Sequence, residues 1–60
     1  MAKATAAGRT FEDVSWNGLV ARIASVYRLS TTPRERVEAA GALASGQSVT
    51  LSGVRITPER

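Results

Sequence analysis

The densest run of groups able to grip an anion is Thr31-Thr32-Pro33-Arg34-Glu35-Arg36. Arginine donates from a planar fork that suits phosphate and carboxylate oxygens. If a helix starts at Pro33, its free N–H groups add to the site, because a helix N-terminus attracts negative charge. That same end disfavours cations, so two arginines in a first turn run against the helix dipole. Each group also has a plainer use: Thr32 can cap the helix, while Arg34 and Arg36 sit in solvent beside Glu35 and Glu38. Arg55 lies in a later, alternating segment. With Thr31, Thr32, Arg34 and Arg36 it completes a candidate anion- or partner-binding set.

A second set is aromatic. Trp16 and Tyr27 are eleven positions apart, about three helical turns, so one helical face can carry both. Core packing is the plainer use. The sharper one is as interface anchors, since Trp, Tyr and Arg dominate binding hot spots. Phe11 could staple the first helix or dock onto a partner.

Catalysis is poorly supplied. The chain has neither histidine nor cysteine, which removes the commonest general base and the thiol nucleophile. The serines and threonines have no activating partner beyond Lys3. Glu35 and Glu38 could pair as carboxylates, but capping and solvation account for them. Gly41, Gly46 and Gly53 lack the spacing of a phosphate loop. We assign no catalytic residue, no metal ligand and no cofactor, and expect a protein that is not an enzyme.

The elements that must position these groups are read from spacing. Val49, Leu51, Val54 and Ile56 alternate around Ser52-Gly53. A two-residue loop there pairs Leu51 with Val54 and Val49 with Ile56, leaving Thr50 and Arg55 on the other face. Upstream, Thr32, Pro33 and Glu35 form a capping box with proline at the first helical position. Val37, Ala40, Gly41 and Ala44 make a small-sided stripe on that helix, with Leu43 at its edge and Gly46 as the stop. An earlier helix carries Leu19, Val20, Ile23, Val26 and Tyr27 at helical spacing. Its start is open among Thr10, Asp13, Ser15 and Asn17, and residues 10–16 could instead be an edge strand.

The expected fold is therefore α+β: two helices followed by a C-terminal β-hairpin packed on them, with a disordered N-terminal tail. Residues 1–9 form the flexible tail and residues 10–60 a single small helix-helix-hairpin domain. Eight basic against five acidic residues leave a net charge of +3, which permits an acidic partner without requiring one. No apolar run approaches the roughly 20 residues that span a bilayer, so we expect no membrane segment and a cytoplasmic setting. A domain this small is marginal alone, and with no disulfide or thiolate metal to support it, a protein partner or self-association is the natural supplement.

Two family resemblances follow from these segments. The helix pair with its hairpin is similar to the second half of a winged helix-turn-helix domain. That resemblance implies a recognition helix at residues 33–45, with Thr31, Thr32, Arg34 and Arg36 at phosphates or bases and Arg55 on a wing. The segment Ala42-Leu43-Ala44-Ser45-Gly46-Gln47-Ser48-Val49, with the hairpin after it, resembles small tailed-phage head–tail joining proteins over roughly a third of the chain. We read the chain as a small non-catalytic interaction module binding another protein or itself, of phage-type accessory or assembly character. The alternative is a DNA-binding protein of winged helix-turn-helix type.

Overall fold

A computed structural model describes residues 1–59; Arg60, the last residue of the expected domain, lies outside the described residues. Six elements run in the order β1 (Ala2–Ala6), β2 (Arg9–Asp13), α1 (Trp16–Val26), α2 (Pro33–Ala44), β3 (Val49–Leu51) and β4 (Val54–Pro58). All strand pairings are antiparallel, and the sheet order is β2-β1-β4-β3. Both helices pack on one face of this sheet, against Ala2, Ala4, Ala6, Phe11, Leu51 and Ile56.

This corrects the expected order of helices followed by a hairpin. Strands come first, and the segment read as a disordered tail is the strand joining the two hairpins. Ala2, Ala4 and Ala6 are buried, while Lys3 and Thr5 point to the opposite face. Alanine is a poor strand former and gives a weak apolar signal. Here its small side chain lets the helical layer come close, so a run without bulky residues still has a buried face. The connecting turn is Ala7-Gly8, both at positive φ (51° and 77°), which matches the right-handed twist of a two-residue hairpin. Residues 9–13 are strand, not the beginning of a helix. The edge strand foreseen over residues 10–16 runs instead from Arg9, with Phe11 inward, and Val14 is exposed.

The C-terminal hairpin has the register that its alternation requires: Val49 opposite Ile56, Thr50 opposite Arg55, Leu51 opposite Val54. Leu51 and Ile56 are buried, and Thr50 and Arg55 are exposed. Its tip is tied down, since the Ser52 hydroxyl donates to the Ser30 carbonyl at 2.9 Å in the loop between the helices.

Both helices are framed by local chemistry. Ser15 caps α1, its side chain accepting from the Gly18 N–H at 3.1 Å. Leu19, Val20 and Ile23 fill the space over β1 and β2 with no residual exposure. At the end of α1, Leu29 N donates to the Ala24 carbonyl and Arg28 N to that of Ser25. This is a Schellman closure with Arg28, not glycine, in the left-handed position at φ 52°. The same closure ends α2 through Gly46 at φ 86°, with Gln47 N donating to Ala42 and Gly46 N to Leu43.

One face assignment needs correction. The buried side of α2 is Ala39, Ala40 and Leu43, whereas Val37 is 62% exposed, and Gly41 and Ala44 face solvent. An alanine-rich helix has two faces of similar apolarity, so periodicity alone could not say which one meets the core.

Candidate functional site

The residues at the start of α2 come together, but mainly with one another. The Thr32 hydroxyl accepts from Glu35 N at 3.2 Å, and the Glu35 carboxylate accepts from Thr32 N at 2.9 Å. The capping box thus consumes both groups. The Arg36 guanidinium donates to the Thr31 carbonyl and hydroxyl, each at 3.0 Å, pinning the loop that precedes the helix. Arg34 reaches Glu38 one turn on, at 3.1 Å in an exposed pair. Arg55 is not part of this group: it stands on the sheet face opposite the helices, beside Thr50.

The other basic residues are dispersed. Lys3 lies 3.9 Å from Glu12 on the outer sheet face, where the two residues are cross-strand partners. Arg22 on α1 meets Asp13 at 3.5 Å, stapling the helix to the end of β2. Arg9 sits over the Phe11 ring, 5.7 Å from its centroid. The outer sheet face therefore mixes Lys3, Arg55 and Glu12 with Thr5, Thr10, Thr50 and Thr57, without a continuous basic tract among the described residues.

The aromatic set divides. Phe11 is buried, and its ring meets that of Tyr27 edge-on, with centroids 5.9 Å apart at 72°. The Tyr27 hydroxyl donates to the Ala6 carbonyl at 3.2 Å, holding the end of α1 on the β1–β2 turn. These two work chiefly inside the domain. Trp16 also packs partly against the core, and it opens α1 at the mouth of a groove on the outside of the helical layer.

That groove, about 390 Å³, is lined by Trp16, Asn17, Val37, Ala40, Gly41 and Ala44. No side chain of the domain closes over Gly41, where an added Cβ would meet nothing within 4 Å. The stripe noticed in the sequence is thus divided: Val37, Gly41 and Ala44 face outward, while Ala40 is buried at the floor of the groove. Its signal was the pattern Val37, Ala40, Gly41, Ala44. What the sequence could not supply was that Leu43 and Ala39 take the inward side. A second groove, about 320 Å³, runs between α2 and the edge strand β3 and is rimmed by Glu35 and Glu38.

No polar or charged residue is buried among the described residues, and they contain no cluster of three potential metal ligands. No described helix is long and apolar enough to cross a membrane. No protein-family model matches the chain, and neither a curated protein nor a solved structure matches it. A reading of function accordingly rests on surface geometry.

Proposed function

We propose that this protein is a small non-catalytic interaction module that binds another protein or a second copy of itself through the outer face of its helical layer. One observation carries the reading: the apolar groove of Trp16, Val37, Ala40, Gly41 and Ala44 has no covering element. Val37 stands 62% exposed at its wall, and apolar surface gathered in a groove is what a partner buries. The scatter of basic residues, three of them beside carboxylates, favours a protein over duplex DNA, which rewards one basic face. A cytoplasmic setting belongs to the same proposal.

The test compares the native chain with Val37→Asp. Val37 is a surface residue, so the variant keeps its fold, which circular dichroism checks. Sedimentation across a wide concentration range, together with affinity capture from the native host, should show an association that Val37→Asp loses. Loss of nothing, because the native chain neither self-associates nor retains a partner, defeats the proposal. Anisotropy titration with labelled duplex DNA at low salt should show no binding. Strongly salt-dependent binding would replace the protein partner with nucleic acid.

A further inference from the structure

The free edge of β2 carries a self-complementary pattern, and it lies apart from the helical groove. We infer that β2 pairs antiparallel with β2 of a second copy of this chain, about a two-fold axis at Phe11, so that the two sheets become one. β2 stands at one end of the sheet order. Across the Ala7-Gly8 turn, Ala6 faces Arg9, and in a two-residue hairpin such a pair exchanges both hydrogen bonds. Bonded and non-bonded pairs alternate along an antiparallel ladder. Phe11 and Asp13 therefore also bond to β1, while Thr10 and Glu12 aim their N–H and C=O groups at the open edge. A second β2 centred on Phe11 sets Thr10 of each copy opposite Glu12 of the other. Those pairs then exchange the bonds that the edge leaves unmade.

Charge selects this register. Arg9-Thr10-Phe11-Glu12-Asp13 is basic at one end and acidic at the other. Centred on Phe11, Arg9 of each copy lies directly opposite Asp13 of the other, at a non-bonded pair where side chains come closest. Centring on Thr10 loses both ion pairs, and centring on Glu12 sets the two glutamates against each other. Parallel pairing in register puts Arg9 beside Arg9 and Asp13 beside Asp13. Charged edges ordinarily repel a further strand; this one repels every arrangement but its own antiparallel copy. Arg9 is exposed, and its contact is with the Phe11 ring. Asp13 accepts from Val14 N at 2.7 Å and holds Arg22 at 3.5 Å, yet a carboxylate has about four acceptor sites, which leaves room for a second guanidinium.

The helices agree with the same axis. α1 packs on both β1 and β2, so it lies about half a strand spacing inside β2. A two-fold axis at the shared edge then sets the two α1 axes about 10 Å apart, two strand spacings, which is the separation of packed helices. Arg22 marks the flank of α1 that looks past β2. Val26, one turn on along that flank, is 46% exposed, and Val14 at the end of β2 is 85% exposed. The opposite sheet edge, β3, is the three-residue run Val49-Thr50-Leu51 and has no charge to set a register.

Sedimentation equilibrium of the full chain tests the inference, with circular dichroism to confirm that each variant is folded. The native protein should reach dimer mass. Arg9→Glu, at an exposed position, sets carboxylates opposite each other twice and should raise the dissociation constant at least tenfold. Thr10→Pro should do the same, because it removes an N–H that the β1–β2 ladder does not use. Exchange of charge reads the register. Arg9→Glu chains repel one another, and so do Asp13→Lys chains, but an equimolar mixture restores both opposite-charge pairs and should dimerise as the native chain does. Val37→Asp should leave the constant unchanged. A monomer at millimolar concentration, or a dimer indifferent to Arg9→Glu, overturns the inference. A folded mixture no tighter than either variant alone overturns the Phe11 register. A dimer lost in Val37→Asp but kept in Arg9→Glu places the second copy in the groove, which ends this inference and leaves the interaction reading intact. An edge dimer whose chain captures nothing that Val37→Asp loses supports the inference, while the groove reading fails alone.

Discussion

At Ala7, Arg28 and Ser52 the backbone takes φ of 51°, 52° and 47° without the freedom of glycine. Left-handed backbone costs an L-residue roughly 1–2 kcal/mol. Ser52 recovers part of this through its bond to Ser30, but Ala7 makes no such contact by its methyl group. Asparagine is favoured at that turn position. Ala7→Asn should therefore raise stability by about 1 kcal/mol, seen as a higher urea midpoint with unchanged slope. Tyr27→Phe should lower it by about 1 kcal/mol, the net worth of one side-chain hydrogen bond, in the same assay. If Tyr27→Phe is neutral, the bond to Ala6 contributes nothing and only the ring contact with Phe11 holds that corner.

Elements differ in how much they depend on neighbours. The start of α2 is locally written: Thr32→Ala removes one half of the capping box and should cost about 1 kcal/mol in a thermal or urea melt. The two strands of the C-terminal hairpin are unequal. β4 is bonded on both sides, and its Ile56 has no exposure, whereas β3 is an edge and its Leu51 keeps 7%. Both alanine replacements should fall within about 2–5 kcal/mol, with Ile56→Ala the more damaging. An equal or reversed order in denaturant titrations would mean that the core is centred nearer β3 than the packing indicates.

For the whole molecule the decisive segment is the first. β1 alone joins β2 to β4, through the pairings Ala4 with Phe11 and Thr5 with Thr57. Deleting residues 1–8 removes the centre of the sheet and three buried alanines. Because such a small domain has only a few kcal/mol in reserve, the truncated chain should show no cooperative melt by circular dichroism. Had these residues been a tail, truncation would leave the melt unchanged.

What the sequence determined by itself was local. Thr32, Pro33, Glu35 and Gly46 announce α2 because caps and stops act over three or four residues. Val49 to Ile56 announce the hairpin because a two-residue turn and strict alternation admit one register. The existence of an apolar stripe at Val37, Ala40, Gly41 and Ala44 was legible for the same reason. Only the tertiary structure decided the rest. Ala2, Ala4 and Ala6 become a central strand because β2 and β4 pair on either side and the helices cover one face, which no window of eight residues encodes. Arg36 and Thr31 are absorbed into each other, Arg55 is sent to the far side of the sheet, and Phe11 is drawn under Tyr27. Which apolar face of α2 turns inward depends on the larger Leu43 finding space in the core, and that choice leaves Val37 and Gly41 outside. Burial is a property of the whole packing arrangement, and helical spacing fixes only which residues share a face.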